Sequence, residues 1–278
     1  MRTILIAVIA VIAVIAVVAS ACGGSSGADG RLRVVAGAYP LAFAAERIGG
    51  DRVDVENLTP PGAEPHDVEL SARDVQRVRE ADLVLYLGSE FQPALEDAAR
   101  DADGETLDLL GGDADPHIWL DPLRYAGLVE RLGRELGGPA AAQRLAAQLR
   151  VLDGEFRRGL AECARREFVT SHAAFGHLAR RYGLRQIALA GLSPEAEPAP
   201  RELERVVNEV RDRGATTVFF EPLLSPRLAE TVARETGVAT AVLDPLEGLS
   251  RRQLAGGEDY FSVMRTNLHA LRRALACR

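Results

Sequence analysis

Hydrophobic residues fall along this chain in two alternating rhythms, short apolar stretches and longer ones with helical spacing. The runs Leu32 to Ala36, Val53 to Leu58 and Ala81 to Leu87 predict strands, and Glu105 to Leu109 adds a further candidate. After the first run, Tyr39-Pro40 marks a turn into a helix that continues through Arg47. Ser71 is placed to cap another helix, whose first turn carries Asp74 near the positive end of the helix dipole. Strand and helix patterns that alternate in this way predict an α/β fold.

From Pro122 to about Arg166 the rhythm becomes wholly helical. Leu128, Leu132, Leu136, Leu145, Leu149, Leu152 and Phe156 form an apolar stripe that Gly137-Gly138-Pro139 interrupts, so two consecutive helices are expected. The second, roughly Pro139 to Arg165, is long enough at about 1.5 Å per residue to run between two lobes. Alternation then resumes, with strands expected at Glu167 to Thr170, Arg185 to Leu189, Thr216 to Phe220 and Ala239 to Leu243. Leu203 to Arg213 and Leu228 to Glu235 read as helices between them. The expected architecture is two α/β lobes linked by a long helix, 32–122 and 167–278 around a helical segment 123–166, with a cleft where strand ends face each other.

The N-terminus adds a compartment. Arg2, an apolar run from Ile4 to Ala19 and then Ser20-Ala21-Cys22 make an export signal, residues 1–21, with a lipoprotein cleavage site before Cys22. Cys22 would carry lipid, and several acyl chains anchor far more firmly than one because each buried methylene adds about 0.8 kcal/mol. An uncleaved membrane span is the alternative, since Ile4 to Ala19 falls just short of spanning length. Residues 22–31, rich in glycine and serine, read as a flexible tether.

Charge narrows the partners. The net charge of -7 becomes -8 once Arg2 leaves with the signal, which disfavours nucleic acid. Every basic residue is arginine, so no lysine is present for Schiff-base or phosphate-loop chemistry. Cys163 and Cys277 would be free to pair in an oxidising compartment, but the sequence gives no distance between them.

Four metal-ligand candidates stand beyond strand-like segments: His66, His117, His172 and Asp244. His66 lies in a loop restricted by Pro60, Pro61, Gly62 and Pro65, which presents the imidazole at low ordering cost. His117 precedes the apolar Ile118-Trp119-Leu120, with Asp121 placed to cap the next helix and either Asp115 or Asp121 placed to accept an imidazole hydrogen. His172 follows the strand Glu167 to Thr170, whereas His177 falls on the following helix and reads as surface or packing. Asp244 follows the strand Ala239 to Leu243, and Glu221 is the rival carboxylate. Three imidazoles and a carboxylate suit zinc, with manganese the alternative. Each signal is weak alone, because the chain holds no His-Glu-x-x-His or Cys-x-x-Cys motif. A zinc hydrolase would need an exchangeable site and a base, and neither Glu64 nor Glu221 has a motif that positions it as one.

Taken in order, Pro61-Gly62-Ala63-Glu64-Pro65-His66-Asp67, Asp115-Pro116-His117-Ile118-Trp119-Leu120-Asp121-Pro122, Ser171-His172-Ala173-Ala174-Phe175-Gly176 and Leu243-Asp244-Pro245-Leu246 resemble the zinc/manganese solute-binding lipoproteins of ABC importers, the cluster A-I or ZnuA/TroA-like family. Tyr39-Pro40 and Phe219-Phe220-Glu221-Pro222 add to the likeness, which runs from Leu32 to the C-terminus. The resemblance implies a non-enzymatic, monomeric protein, lipid-anchored at the extracytoplasmic face of the membrane. It implies a metal held between the lobes by His66 and His117 on one side and His172 and Asp244 on the other, and delivered to an ABC permease driven by a separate ATPase. Histidine at the third ligand position leans towards zinc, while the segment before Asp115, Leu110 to Ala114, carries no histidine-rich loop.

Overall fold

The computed structural model describes residues 30–194 and 199–278. The export signal, Cys22 and the tether up to Asp29 lie outside the described residues. The first lobe runs β1 (Leu32–Ala36), α1 (Tyr39–Gly49), β2 (Val53–Asn57), α2 (Ala72–Glu80), β3 (Leu83–Tyr86), α3 (Pro93–Ala99) and β4 (Glu105–Asp108). Two helices follow, α4 (Pro122–Glu135) and α5 (Pro139–Gly159). The second lobe runs β5 (Glu167–Thr170), α6 (Gly176–Tyr182), β6 (Arg185–Ala188), α7 (Pro200–Asp212), β7 (Thr217–Phe220), α8 (Arg227–Thr236) and β8 (Ala239–Val242), closed by α9 (Arg251–Ala255) and α10 (Tyr260–Ala274). Among the described residues no helix is long and apolar enough to cross a membrane.

Each lobe is built on a four-stranded parallel sheet, ordered β2-β1-β3-β4 in the first and β6-β5-β7-β8 in the second. The inner strands β1, β3, β5 and β7 are mostly buried and carry the more apolar runs, whereas the edge strands β2, β4, β6 and β8 are more exposed and, β8 apart, more polar. Val34 pairs with Val55 and Leu83 on its two sides, and Val169 with Ile187 and Val218. In both sheets the order reverses beside the first strand, between β1 and β3 and between β5 and β7. The loops leaving those strand ends diverge and open a crevice, the usual ligand position in such sheets.

Local chemistry sets the helix boundaries. Ser71 and Asp74 form a reciprocal capping box at α2, with Ser71 Oγ accepting from the Asp74 amide at 3.2 Å. Asp121 accepts from the amides of Leu123 and Arg124 at 2.9 and 3.3 Å, and Pro122 opens α4. The break between α4 and α5 needs glycine: Gly137 has φ 58, and a Cβ on Gly138 would lie 2.9 Å from the Ile48 carbonyl oxygen. The long helix ends at Gly159, short of the expected Arg165, because the Arg166 guanidinium caps the carbonyls of Leu160 and Ala161, both at 2.9 Å. Beyond it Cys163 pairs with Cys277 in a disulfide across 114 residues, which settles the pairing that sequence left open.

One apolar core joins the lobes. It runs from Val34 and Leu85 through Leu145, Leu149 and Phe156 of α5 to Phe168 and Phe175. Tyr260 of α10 stacks 5.8 Å from Phe43 of α1, lies 4.9 Å from Tyr125 of α4, and donates its hydroxyl to the Trp119 carbonyl at 2.7 Å. The segment after β8 reaches across to the first lobe, where Gly62 N donates to Leu249 O at 3.1 Å and Trp119 Nε1 to Pro245 O at 2.7 Å.

Candidate metal centre

His66 sits in a 3-10 turn, Pro65 to Asp67, beyond β2. Gln92 holds that turn from below, donating to the carbonyls of Pro65 and Gly37 at 3.2 and 2.9 Å. A Cβ on Gly37 would meet Gln92 Oε1 at 2.2 Å and push that side chain out of its bonds. The edge of one ring faces the other where His66 packs on Phe91, 4.5 Å between centroids.

His117 lies beyond β4, fully buried, and its backbone and side chain are tied to one carboxylate: Asp115 Oδ1 accepts from its amide at 3.1 Å and from Nδ1 at 2.9 Å. His172 leaves the end of β5, with its carbonyl accepting from Thr170 Oγ1 at 2.7 Å and Gln186 Nε2 at 2.8 Å. Its Nδ1 donates to Glu221 Oε1 at 2.7 Å. Glu221, the rival fourth ligand, thus orients a histidine; Asp115, not Asp121, is the carboxylate behind His117. Both contacts commit the Nδ1 hydrogen and leave Nε2 to face inward.

The inward nitrogens converge on Glu247. Its Oε1 lies 2.8 Å from His117 Nε2, 3.2 Å from His172 Nε2 and 3.5 Å from His66 Nε2. Donor atoms of His66, His117, His172 and Glu247 all lie within 4.8 Å of one another. Asp244, expected as the fourth donor, is not part of this group. Its carboxylate is engaged elsewhere, accepting from Leu246 N in its own loop at 2.8 Å and from Gln253 Nε2 of α9 at 2.7 Å, while Asn267 grips its backbone on both sides. Those bonds shape a turn in which Leu246 takes φ 57, an uncommon conformation for a leucine, and the turn delivers Glu247 into the cleft. A glutamate set between Leu246 and Leu249 was the overlooked signal, a second acid three residues after Asp244. His177 is buried rather than exposed and stands outside the group.

The charges are strongly coupled. Burial alone would raise the Glu247 carboxyl, yet the charge on His172 and a hydrogen bond from His117 hold it well below the usual carboxylate range. Burial would lower His172, but Glu247 and Glu221 carry it well above the usual histidine value, and His117 is raised by Asp115 and Glu247 against the same burial. Glu64 is pushed up to about 9, first by burial and then by the Glu247 charge. Among the described residues, Glu64 Oε2, His66 Nε2, Glu221 Oε2 and Glu247 Oε2 are buried without a hydrogen-bond partner. Each such atom costs about 1–3 kcal/mol, so the cluster is built for something other than itself. A cation that accepts electron pairs from nitrogen and oxygen fits this donor set.

Two parallel-sheet lobes with a three-histidine, one-glutamate group between them define a solute-binding protein of the metal-capturing class. The chain belongs to the family described as zinc-uptake complex component A, periplasmic, whose model matches residues 34–274. It is 35% identical over 281 residues to the zinc-binding lipoprotein AdcA of Streptococcus pneumoniae serotype 4, across 88% of this chain and 56% of that protein. The chain therefore spans about half the length of that relative. It is 31% identical to the high-affinity zinc uptake system protein ZnuA of Bacillus subtilis, across 88% of both chains. Among solved structures, the Zn(II)-bound ZnuA-like domain of S. pneumoniae AdcA matches with TM-score 0.75 and 35% identity, over 88% of this chain and 99% of that one. The laminin-binding protein Lmb of Streptococcus agalactiae, described as having adhesin and metal-transporting activity, matches with TM-score 0.80 and 27% identity over 88% and 99%.

Proposed function

We propose that this protein captures a divalent transition metal outside the cytoplasm, with zinc its preferred cargo and manganese the lesser one, and delivers it to an ABC permease driven by a separate ATPase. The ligands are His66, His117 and His172 through Nε2 and Glu247 through its carboxylate. The observation that carries this reading is the convergence of these donors within 4.8 Å from four different loops. Three imidazole nitrogens and one oxygen match zinc's tetrahedral preference better than the oxygen-rich shell of harder ions.

His66 and His117 come from one lobe and His172 and Glu247 from the other, so an ion bonded to all of them clamps the lobes together. Release to the permease separates the two pairs. Four protein ligands complete a tetrahedral shell and leave no exchangeable position for a reacting water, which supports carriage over hydrolysis. Cys22 is the proposed lipid attachment, 1–21 the signal and 22–31 the tether, with 32–122, 123–166 and 167–278 as first lobe, helical linker and second lobe of a monomer at the outer face of the membrane.

Competition against a fluorescent zinc chelator tests the site. Wild-type protein should withdraw zinc stoichiometrically, one ion per chain, and alanine at any of the four ligands should lose most of that affinity. Undiminished binding in all four variants would remove the assignment.

A further inference from the structure

His177, in the first turn of α6, is 3% exposed although it ligates nothing in the metal group. Its Nδ1 faces two guanidinium groups, Arg180 at 2.8 Å and Arg124 at 3.0 Å. Its Nε2 lies 2.9 Å from the Asp115 carbonyl oxygen and 3.4 Å from Asp115 Oδ2. Guanidinium nitrogens only donate. Nδ1, the nearer nitrogen to both guanidinium groups, therefore accepts, and the ring hydrogen sits on Nε2, bonded to the Asp115 carbonyl, with Asp115 Oδ2 and Arg124 Nη1 each 3.4 Å from that nitrogen.

Asp115 is the residue whose other carboxylate oxygen holds both the amide and Nδ1 of His117. The surroundings leave it little freedom. A Cβ on Gly176 would approach Asp115 Oδ2 to 2.9 Å, Arg180 stands 3.6 Å from that oxygen, and Arg124 pairs in turn with Asp113. Gly176, His177 and Arg180 belong to the second lobe, whereas Asp113, Asp115 and His117 belong to the loop leaving the first. One lobe thus supplies the support behind a ligand carried by the other.

We propose that His177 is a positioning residue for metal capture: through Asp115 it orients the His117 imidazole with Nε2 towards the ion, and it does so only while the lobes are seated together. This rests on the ligand set proposed above. Orientation from behind a ligand typically changes metal affinity by about 10–100-fold.

The test compares H177F, H177Q, D115N, the H177F/D115N pair and H117A in the full chain. Zinc affinity is read by chelator competition, cobalt substitution by its visible ligand-field bands, and integrity by thermal unfolding without metal. H177F should weaken zinc binding by about 10–100-fold and shift the cobalt bands. H177Q should restore both, because its amide nitrogen donates to Asp115 while its carbonyl accepts from the arginines. The double variant should lose little beyond the worse single one, as expected for residues acting in one chain. A general packing defect would lower the unfolding temperature without moving the cobalt bands, and that result would overturn the positioning role. So would wild-type zinc affinity in H177F together with abolished binding in H117A, which leaves the ligand set standing. Wild-type affinity in H117A would instead overturn the ligand set and this role with it.

Discussion

Trp119 donates its indole hydrogen to the carbonyl of Pro245 over 2.7 Å, so the residue two places after His117 is tied to the residue two places before Glu247. Both partners are buried, and the bond crosses from one lobe to the other. Trp119→Phe would leave the Pro245 carbonyl without its donor and open space beside it. The expected loss is about 1–3 kcal/mol of stability in the metal-free protein, measured by denaturant unfolding. Zinc affinity should fall as well, since the two ligands flanking the bond lose their common reference. A variant as stable as wild type would mean that the bond is replaced by water.

Glu247 and Asp244 make a discriminating pair. If about 10–16 kcal/mol of zinc binding is shared among four donors, each is worth roughly 3 kcal/mol, on the order of a hundredfold in affinity. Glu247→Ala should show that loss. Asp244→Asn keeps an acceptor for Leu246 N and sacrifices only the bond from Gln253, a cost of about 1 kcal/mol, so its zinc affinity should stay within roughly tenfold of wild type. Chelator competition on both variants decides the matter, and the reverse ranking would return Asp244 to the ligand set.

The histidines give the protein a pH signature. Burial pulls His172 down, but Glu247 and Glu221 raise it well above the usual value of 6.5, and His117 is raised by Asp115 and Glu247. Folded values above unfolded ones mean that the metal-free fold gains stability from these rings below about 6.5 and loses it as pH rises through the raised values. Zinc needs the same lone pairs, so its affinity rises over that range while the protons leave. The gap between the unfolding temperatures of zinc-loaded and metal-free protein should widen from pH 6 to pH 8. A gap that stays constant would mean no proton is displaced.

Cys163 and Cys277 lie by the entry end of β5, while His172 leaves its exit end. Closing a loop of 114 residues removes chain entropy worth about 3–5 kcal/mol from the unfolded state. Replacing both cysteines with serine should lower the unfolding temperature markedly and leave zinc affinity near wild type. Loss of zinc binding in the folded double variant would show that the two ends of the strand are coupled.

Short apolar stretches alternating with helical spacing made the strands of the described residues and the helical middle legible, because inner strands and helices with one wet face write different periods into the chain. Much of what escaped was set by long-range contact. α10 was not singled out although its sequence carries a capping box at Asp259 and Ser262 and an apolar stripe of Tyr260, Val263, Met264, Leu268 and Leu271; what long-range contact adds is its packing against α5 and β8. The three histidines were visible since each follows a strand, His172 by two residues and His66 and His117 by nine, among prolines, glycines or apolar neighbours. Glu247 was not, because the first acid after β8 is Asp244 and a left-handed turn at Leu246 carries the proposed ligand carboxylate three positions further. The pairing of Cys163 with Cys277 was equally hidden, since no local pattern spans 114 residues.

The apolar core that runs unbroken through α5 into both lobes has a bearing on which ions are accepted. In the proposed capture role, the donors from the two lobes meet at a spacing that close-packed leucines and aromatics hold while the lobes are seated together. A larger ion would have to wedge open Phe43 against Tyr260 and Trp119 against Pro245 before its donors could relax. In the proposed role, selection by size would then act at a distance from the ion, through the packing of the hydrocarbon interior.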